Sequence, residues 1–242
     1  MKRLLLLLFI LTHLTPFAPA QDRAYDDLLV LYVDEEYVKC IAKAERYTEK
    51  ESTRRDALPY LYMSMCFHEM GGMDRYAREN EFRNAARDAL KYAVKFRRKD
   101  KANAHVHKYA DYWEELNTKA MEMGFNHVDA GEISKARQVF ARMVGYQPEN
   151  PGAWHMLALV QDMQRLQRDA AESQQRYHDL MASMELHSLS RDQKILLRES
   201  MMRRARHLME AGRFSEARKV MAQGRELFMD NPEFRMVAEQ VG

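Results

Sequence analysis

The residues able to do chemistry are few, and none completes a constellation. His68-Glu69 opens like the helix of a zinc protease, in which two histidines one turn apart hold the metal and the glutamate activates its water. The second ligand would fall at position 72, which is Gly72. His105 and His107 are separated by one residue, so a helix puts them on different faces, and no cysteine lies nearby to complete a ligand set. No Gly-rich phosphate loop and no Gly-x-Ser-x-Gly elbow occurs. Cys40 and Cys66 are the only cysteines. Two such residues make no metal site, and two readings of them stand. They pair as a disulfide if the chain is exported, or they remain thiols that behave as small hydrophobes beside Val38, Ile41, Met65 and Phe67. The 18 methionines fall mostly at apolar helix positions and read as core filling. The expectation is a protein that is not an enzyme and uses no metal and no cofactor.

The charged residues bound the partner class. Lys2-Arg3, the apolar run Leu4 to Leu11 and the small residues Ala18-Pro19-Ala20 have the order of a secretory signal peptide, residues 1–20, cleaved after Ala20. The run is too short to cross a bilayer comfortably, and no later stretch is long and apolar enough to do so. The whole chain has 38 Lys+Arg against 36 Asp+Glu, so losing Lys2 and Arg3 leaves a balanced mature chain. Balance and export together argue against nucleic acid. One local excess stands out, the basic run Lys95, Arg97, Arg98, Lys99 and Lys101. Cations at a helix C-terminus complement its dipole and are ordinarily solvated. The same run would also suit an acidic partner or an anionic envelope polymer.

The elements that must position these residues read as helices. Glycine (9) and proline (6) are scarce, and no alternating β-branched run occurs. The spacing predicts short helices before and after Asp34-Glu35-Glu36, then helices over about 57–70 and 81–96. One long helix is expected over 102–128, near 40 Å at the usual rise. Further helices are expected to about 184, from Ser190 to about Ala211, and from Ser215 to Phe228. A short one follows Asp230-Asn231-Pro232. Ser190 with Gln193 has the form of a capping box. Within this series 117–150 and 151–184 repeat one another with a 34-residue period: Met123-Gly124 returns as Leu157-Ala158, and Ala136 returns as Ala170. Such units bury their apolar faces only against stacked neighbours.

These two units resemble tetratricopeptide repeats. Trp154, Met123-Gly124 with Leu157-Ala158, Ala136 with Ala170, Phe140 and Pro148 stand at that family's large, paired, small, aromatic and proline positions. The pattern departs at Met143, Tyr177, Gln174 and Ala182. It is looser over 198–242, and only approximate over about 24–116. The resemblance implies an all-α fold, a right-handed α-solenoid of helix-turn-helix pairs with some extended helices, forming one domain over 21–242. It also implies a concave groove lined by the first helix of each pair. Mapped onto this sequence, the groove positions are Thr118, Met121, Phe125, Val128 and Asp129, then Gly152, His155, Leu159, Asp162 and Met163. Family members that clamp a terminal carboxylate use Lys and Asn where this chain has Met121, Phe125, His155 and Leu159, which excludes that mode. Two readings remain for these side chains: an apolar, Met-rich groove for a partner segment, or packing against the chain's own long helices.

The functional expectation is a non-catalytic protein-protein interaction scaffold with protein partners, exported to the periplasm or the periplasmic face of an outer membrane. The Ala20-Gln21 junction resembles those of exported Bacteroidota proteins. Two other roles fit the same residues: a periplasmic holdase or carrier for apolar segments, or a binder of anionic cell-wall material through Lys95 to Lys101.

Overall fold

The computed structural model describes residues 25–101 and 103–242; the expected signal peptide lies outside the described residues. Among those residues there are thirteen α-helices and no strand, an all-α fold. In order they are α1 (Asp26–Val33), α2 (Tyr37–Glu49), α3 (Leu58–Gly71), α4 (Asp74–Ala77), α5 (Ala85–Lys99), α6 (Ala110–Asp129) and α7 (Ile133–Tyr146). There follow α8 (Pro151–Met163), α9 (Gln167–Ser183), α10 (Arg191–Glu210), α11 (Phe214–Gln223), α12 (Arg225–Phe228) and α13 (Pro232–Gln240). Packing is largely between neighbours: α2 on α3, α3 on α5, α6 on α7, α7 on α8, α8 on α9, and α10 on α11. Helix α10 also packs on α8 and reaches α6.

The turns follow from local chemistry. Gly131 (φ +71°) and Gly212 (φ +73°) take the left-handed conformation that lets one helix fold back on the next, and Arg165 (φ +61°) does the same between α8 and α9. Asn150 and Asn231 cap α8 and α13, each accepting from the third backbone N–H of its helix, with Pro151 and Pro232 at the first helical position. The expected capping box at Ser190 is formed, with the Gln193 carboxamide accepting from Ser190 N–H at 3.2 Å.

Three helices depart from expectation. The helix expected over 102–128 begins only at Ala110, after a 3₁₀ turn at Val106–Tyr109, and its 20 residues span about 30 Å. Asp100 explains the break. Its buried carboxylate accepts from the N–H groups of His105 and Val106, each at 3.1 Å, so the chain is turned before α6 can start. Trp113 holds the turn from inside α6 by donating to Val106 C=O at 2.8 Å. The helix expected from Glu81 starts at Ala85, because Phe82 is tucked edge-on against Tyr76 in the preceding turn. The helix expected over 215–228 is cut at Gly224, where Met201 and the Phe234 ring press on the backbone.

The repeat positions act as packing residues. A Cβ on Gly124 would stand 2.5 Å from the Phe140 ring, so the glycine is what admits that ring between α6 and α7. Ala136 and Ala158 are fully buried, and Ala170 is nearly so. Trp154 donates to Pro148 C=O at 2.8 Å, tying two signature residues together. Cys40 on α2 is also fully buried. Two apolar clusters result. The first runs from Tyr25 to Val160 and includes Leu196; the second runs from Tyr177 to Val241 and includes Leu197.

The closest crossing gives a test with a diagnostic sign. A Cβ on Gly152 would lie 2.6 Å from Leu197 N and 2.8 Å from Leu196 C, both backbone atoms of α10. Glycine to alanine in a free helix stabilises by about 1 kcal/mol. Gly152→Ala is instead expected to destabilise by about 1–3 kcal/mol, as an overpacked site does. Urea unfolding measures the difference, and a stabilised variant would mean that α10 does not cross α8 there.

Candidate functional site

The ten positions expected to line an open groove lie on α6 and α8, and α10 covers most of them. Met121, Gly152, His155 and Leu159 are buried; Phe125, Val128 and Asp162 are half-buried; Thr118, Asp129 and Met163 remain exposed. Packing against the chain's own long helix accounts for the buried members. Met121 and Leu159 belong to the first apolar cluster, with Phe125 and Val128 packed at its edge.

Polar side chains determine where α10 sits. Asn117 is buried on α6 and donates to Asp192 Oδ2 at 2.6 Å and to Gln147 Oε1 at 2.8 Å, while accepting from the Tyr146 hydroxyl at 2.7 Å. Asp192 also accepts from the Ser190 hydroxyl at 2.5 Å, and Gln147 accepts from Asn150 at 2.9 Å. The starts of α8 and α10, the end of α7 and the middle of α6 therefore share one hydrogen-bonded network. Such a network costs little when every member is satisfied and much when one is lost. Burial pushes the Tyr146 phenol well above its ordinary pKa, with Tyr112 and the Asp192 carboxylate adding to the effect, so it stays a donor.

Farther along α10, His155 meets Ser200. The Ser200 hydroxyl donates to Leu197 C=O at 2.7 Å, so its oxygen accepts from His155 Nδ1–H at 3.1 Å, and this assigns the tautomer. The imidazole stacks on Tyr177 with ring centres 4.1 Å apart, and burial lowers its pKa to about 3. It is a neutral packing residue.

The last turn of contact is ionic. Arg203 makes a two-pronged pair with Asp129 at 2.6 and 3.0 Å, its guanidinium lying 4.5 Å from the centre of the Phe125 ring. The next residue, Arg204, pairs with Asp162 at 3.3 Å, and Arg213 approaches the same carboxylate at 3.9 Å. Burial lowers the Arg204 pKa, and the Asp162 charge opposes this. Two expected groove acids are thus ligands of α10 arginines. Reasoning from repeat positions alone missed Asn117, Asp192, Ser200, Arg203 and Arg204. The adjacent Arg203-Arg204 pair on a helix was the available signal.

The basic run is partly used inside the chain. Arg97 pairs with Glu149 at 3.5 Å and donates to Asn103; Lys99 donates to Arg54 C=O at 3.2 Å; Lys95 lies over the Tyr92 ring. Burial and Lys91 lower the Lys95 pKa. Arg98 and Lys101 point to solvent.

A cleft lies open where α10 begins. It has a volume of about 630 Å³ and is bounded by His68 on α3, Glu114, Glu115 and Thr118 on α6, and Arg191 and Ile195 on α10. Glu115 approaches His68 at 3.8 Å. Burial lowers the His68 pKa, against the pull of Glu69 and Glu115.

No family model matches this sequence, and no curated protein does. Among solved structures it is similar to one described as the crystal structure of PilW, a widely conserved type IV pilus biogenesis factor. That similarity has 16% identity, spans 88% of this chain and 95% of the other, and has a TM-score of 0.28. So low a score carries no functional argument.

Two predictions follow from the covered face. His155 has an ordinary pKa near 6.5 when unfolded and about 3 when folded, so its contribution is complete above about pH 6.5 and is lost as pH falls toward 3. Urea midpoints of wild type should therefore drop more steeply with acid than those of His155→Phe, by on the order of 1.4 kcal/mol per pH unit below 6.5. Parallel curves would show that His155 is not buried. For the ionic contact, Asp162→Ala should cost about 3 kcal/mol by stranding Arg204. Adding Arg204→Met should recover most of that loss, and a double mutant no more stable than Asp162→Ala would refute the pairing.

Proposed function

We propose that this protein is a non-catalytic, tetratricopeptide-like interaction scaffold, exported to the bacterial cell envelope, that holds a segment of a protein partner. The observation that carries the reading is the open cleft between α3, α6 and the start of α10. Repeat-type packing at Gly124, Phe140, Ala136 and Ala158 supplies rigid walls, and rigid walls let a binding surface be specified before the partner arrives. Within the face formed by α6, α8 and α10, the part around Met121, His155 and Leu159 is already occupied by α10. The cleft around Glu115 and Thr118 is not, and its rims combine carboxylates, cations and an apolar floor at Ile195. That mixture suits a polar or amphipathic peptide segment. A carrier role would need Met121 and Phe125 accessible, and the first of these is buried. Export supports the envelope assignment through the order of charges and apolar residues over 1–20.

Thr118 and Glu115 are exposed on α6, so replacing them leaves the core intact. Crosslinking with mass spectrometry in envelope extracts should join a stoichiometric protein partner to residues of this cleft. Thr118→Trp with Glu115→Arg should lower its recovery at least about tenfold, as expected when a central contact worth more than 1.4 kcal/mol is lost. A partner recovered equally well by the variant, or none recovered under gentle conditions, would overturn the assignment.

A further inference from the structure

We propose that the small basic cavity between α5, α6 and α7 is a binding site for a phosphate-type oxyanion, either free or carried as a monoester head group. The cavity has a volume of about 120 Å³. That is room for about four waters at their liquid volume of about 30 Å³ each, and so for one tetrahedral anion. Three helices supply its walls: Arg87 from α5, His127 from α6, and Lys135, Gln138, Val139 and Arg142 from α7. None of these residues is a carboxylate. Val139 belongs to the first apolar cluster, so one wall is apolar and strengthens the field of the cations beside it.

The donors are held in place with capacity to spare. Arg142 is half-buried and donates from Nη1 to Arg87 C=O at 2.8 Å, which pins its guanidinium against α5 and leaves its other nitrogens without a protein acceptor. Glu132 holds Lys135 Nζ at 2.6 Å and His127 Nδ1 at 2.7 Å, so both side chains are ordered before a ligand arrives. Arg87 is exposed and, among the described residues, makes no ion pair and no side-chain hydrogen bond. Burial lowers the Arg142 pKa and the Arg87 charge adds to this, against Asp88. Asp88 in turn is drawn to Lys91 at 3.6 Å. An anion between Arg87 and Arg142 relieves their repulsion. Donors converging from three helices match the oxygens of a tetrahedral dianion, where a planar carboxylate would satisfy a single guanidinium fork. The cavity shares no lining residue with the cleft of α3, α6 and α10, so it does not depend on the function proposed for that cleft.

Isothermal titration calorimetry of the full chain with inorganic phosphate tests the site. One saturable site is expected, weakened by added sodium chloride. Acetate should bind at least about tenfold less well. Arg87→Gln, at an exposed position, should lower phosphate affinity about tenfold, the scale of one charge-assisted hydrogen bond. Arg142→Lys should lower it similarly while keeping the charge, because the fork is lost. Arg98→Gln, at a solvent-facing cation outside the cavity, should leave it unchanged. Flotation with phosphatidylcholine vesicles containing phosphatidic acid separates the sources. Vesicle association that inorganic phosphate competes away and Arg87→Gln weakens supports a lipid head group as the ligand. Phosphate binding without vesicle association supports a soluble one. No saturable phosphate binding, acetate bound equally well, or affinity unchanged in both Arg87→Gln and Arg142→Lys would overturn the proposal.

Discussion

The position of α10 against α8 and α6 is the constraint on which the rest depends. Its backbone meets Gly152 closely enough that a single methyl group would not fit. Contact that close excludes water, so a polar side chain carried into it gains from a partner on the facing helix. Asn117 with Asp192, His155 with Ser200, and Asp162 with Arg204 are those partners, spaced along one helix. The apolar residues supply the driving force, and the polar pairs select one register among the several that apolar surfaces alone would accept.

That constraint also decides what the surface offers. Part of the face that α6 and α8 would otherwise offer is filled by a helix of the same chain. What remains open is displaced toward α3, where the wall residues are charged and not methionine. The arginines that would otherwise advertise a basic surface, Arg203 and Arg204, are spent on internal carboxylates. Much of the basic run around Arg97 and Lys99 is likewise tied down inside the chain.

The sequence was most informative where period and turn chemistry agree. Ser190 and Asn231 sit at the helix starts expected for them, and Gly124, Ala136, Ala158 and Ala170 sit at helix crossings. It was least informative where one side chain overrides a helical pattern. Nothing in the periodicity over 102–128 shows that Asp100 reaches forward to claim two backbone N–H groups and delay α6. The site failed to be read for a related reason. A repeat motif names the residues facing the groove but not the helix that enters it, because that approach depends on side chains distant in sequence, such as Asp129 and Arg203.

The adjacent residues Leu196 and Leu197 belong to different apolar clusters, and Trp154 borders both. A linear stack would ordinarily fray from its free end one unit at a time. Here α10 contributes Leu196 to the first cluster and Leu197 to the second, so it cannot leave one without disturbing the other. Opening at that end is therefore joined to opening in the middle. Amide hydrogens of α10 should share the exchange behaviour of α8.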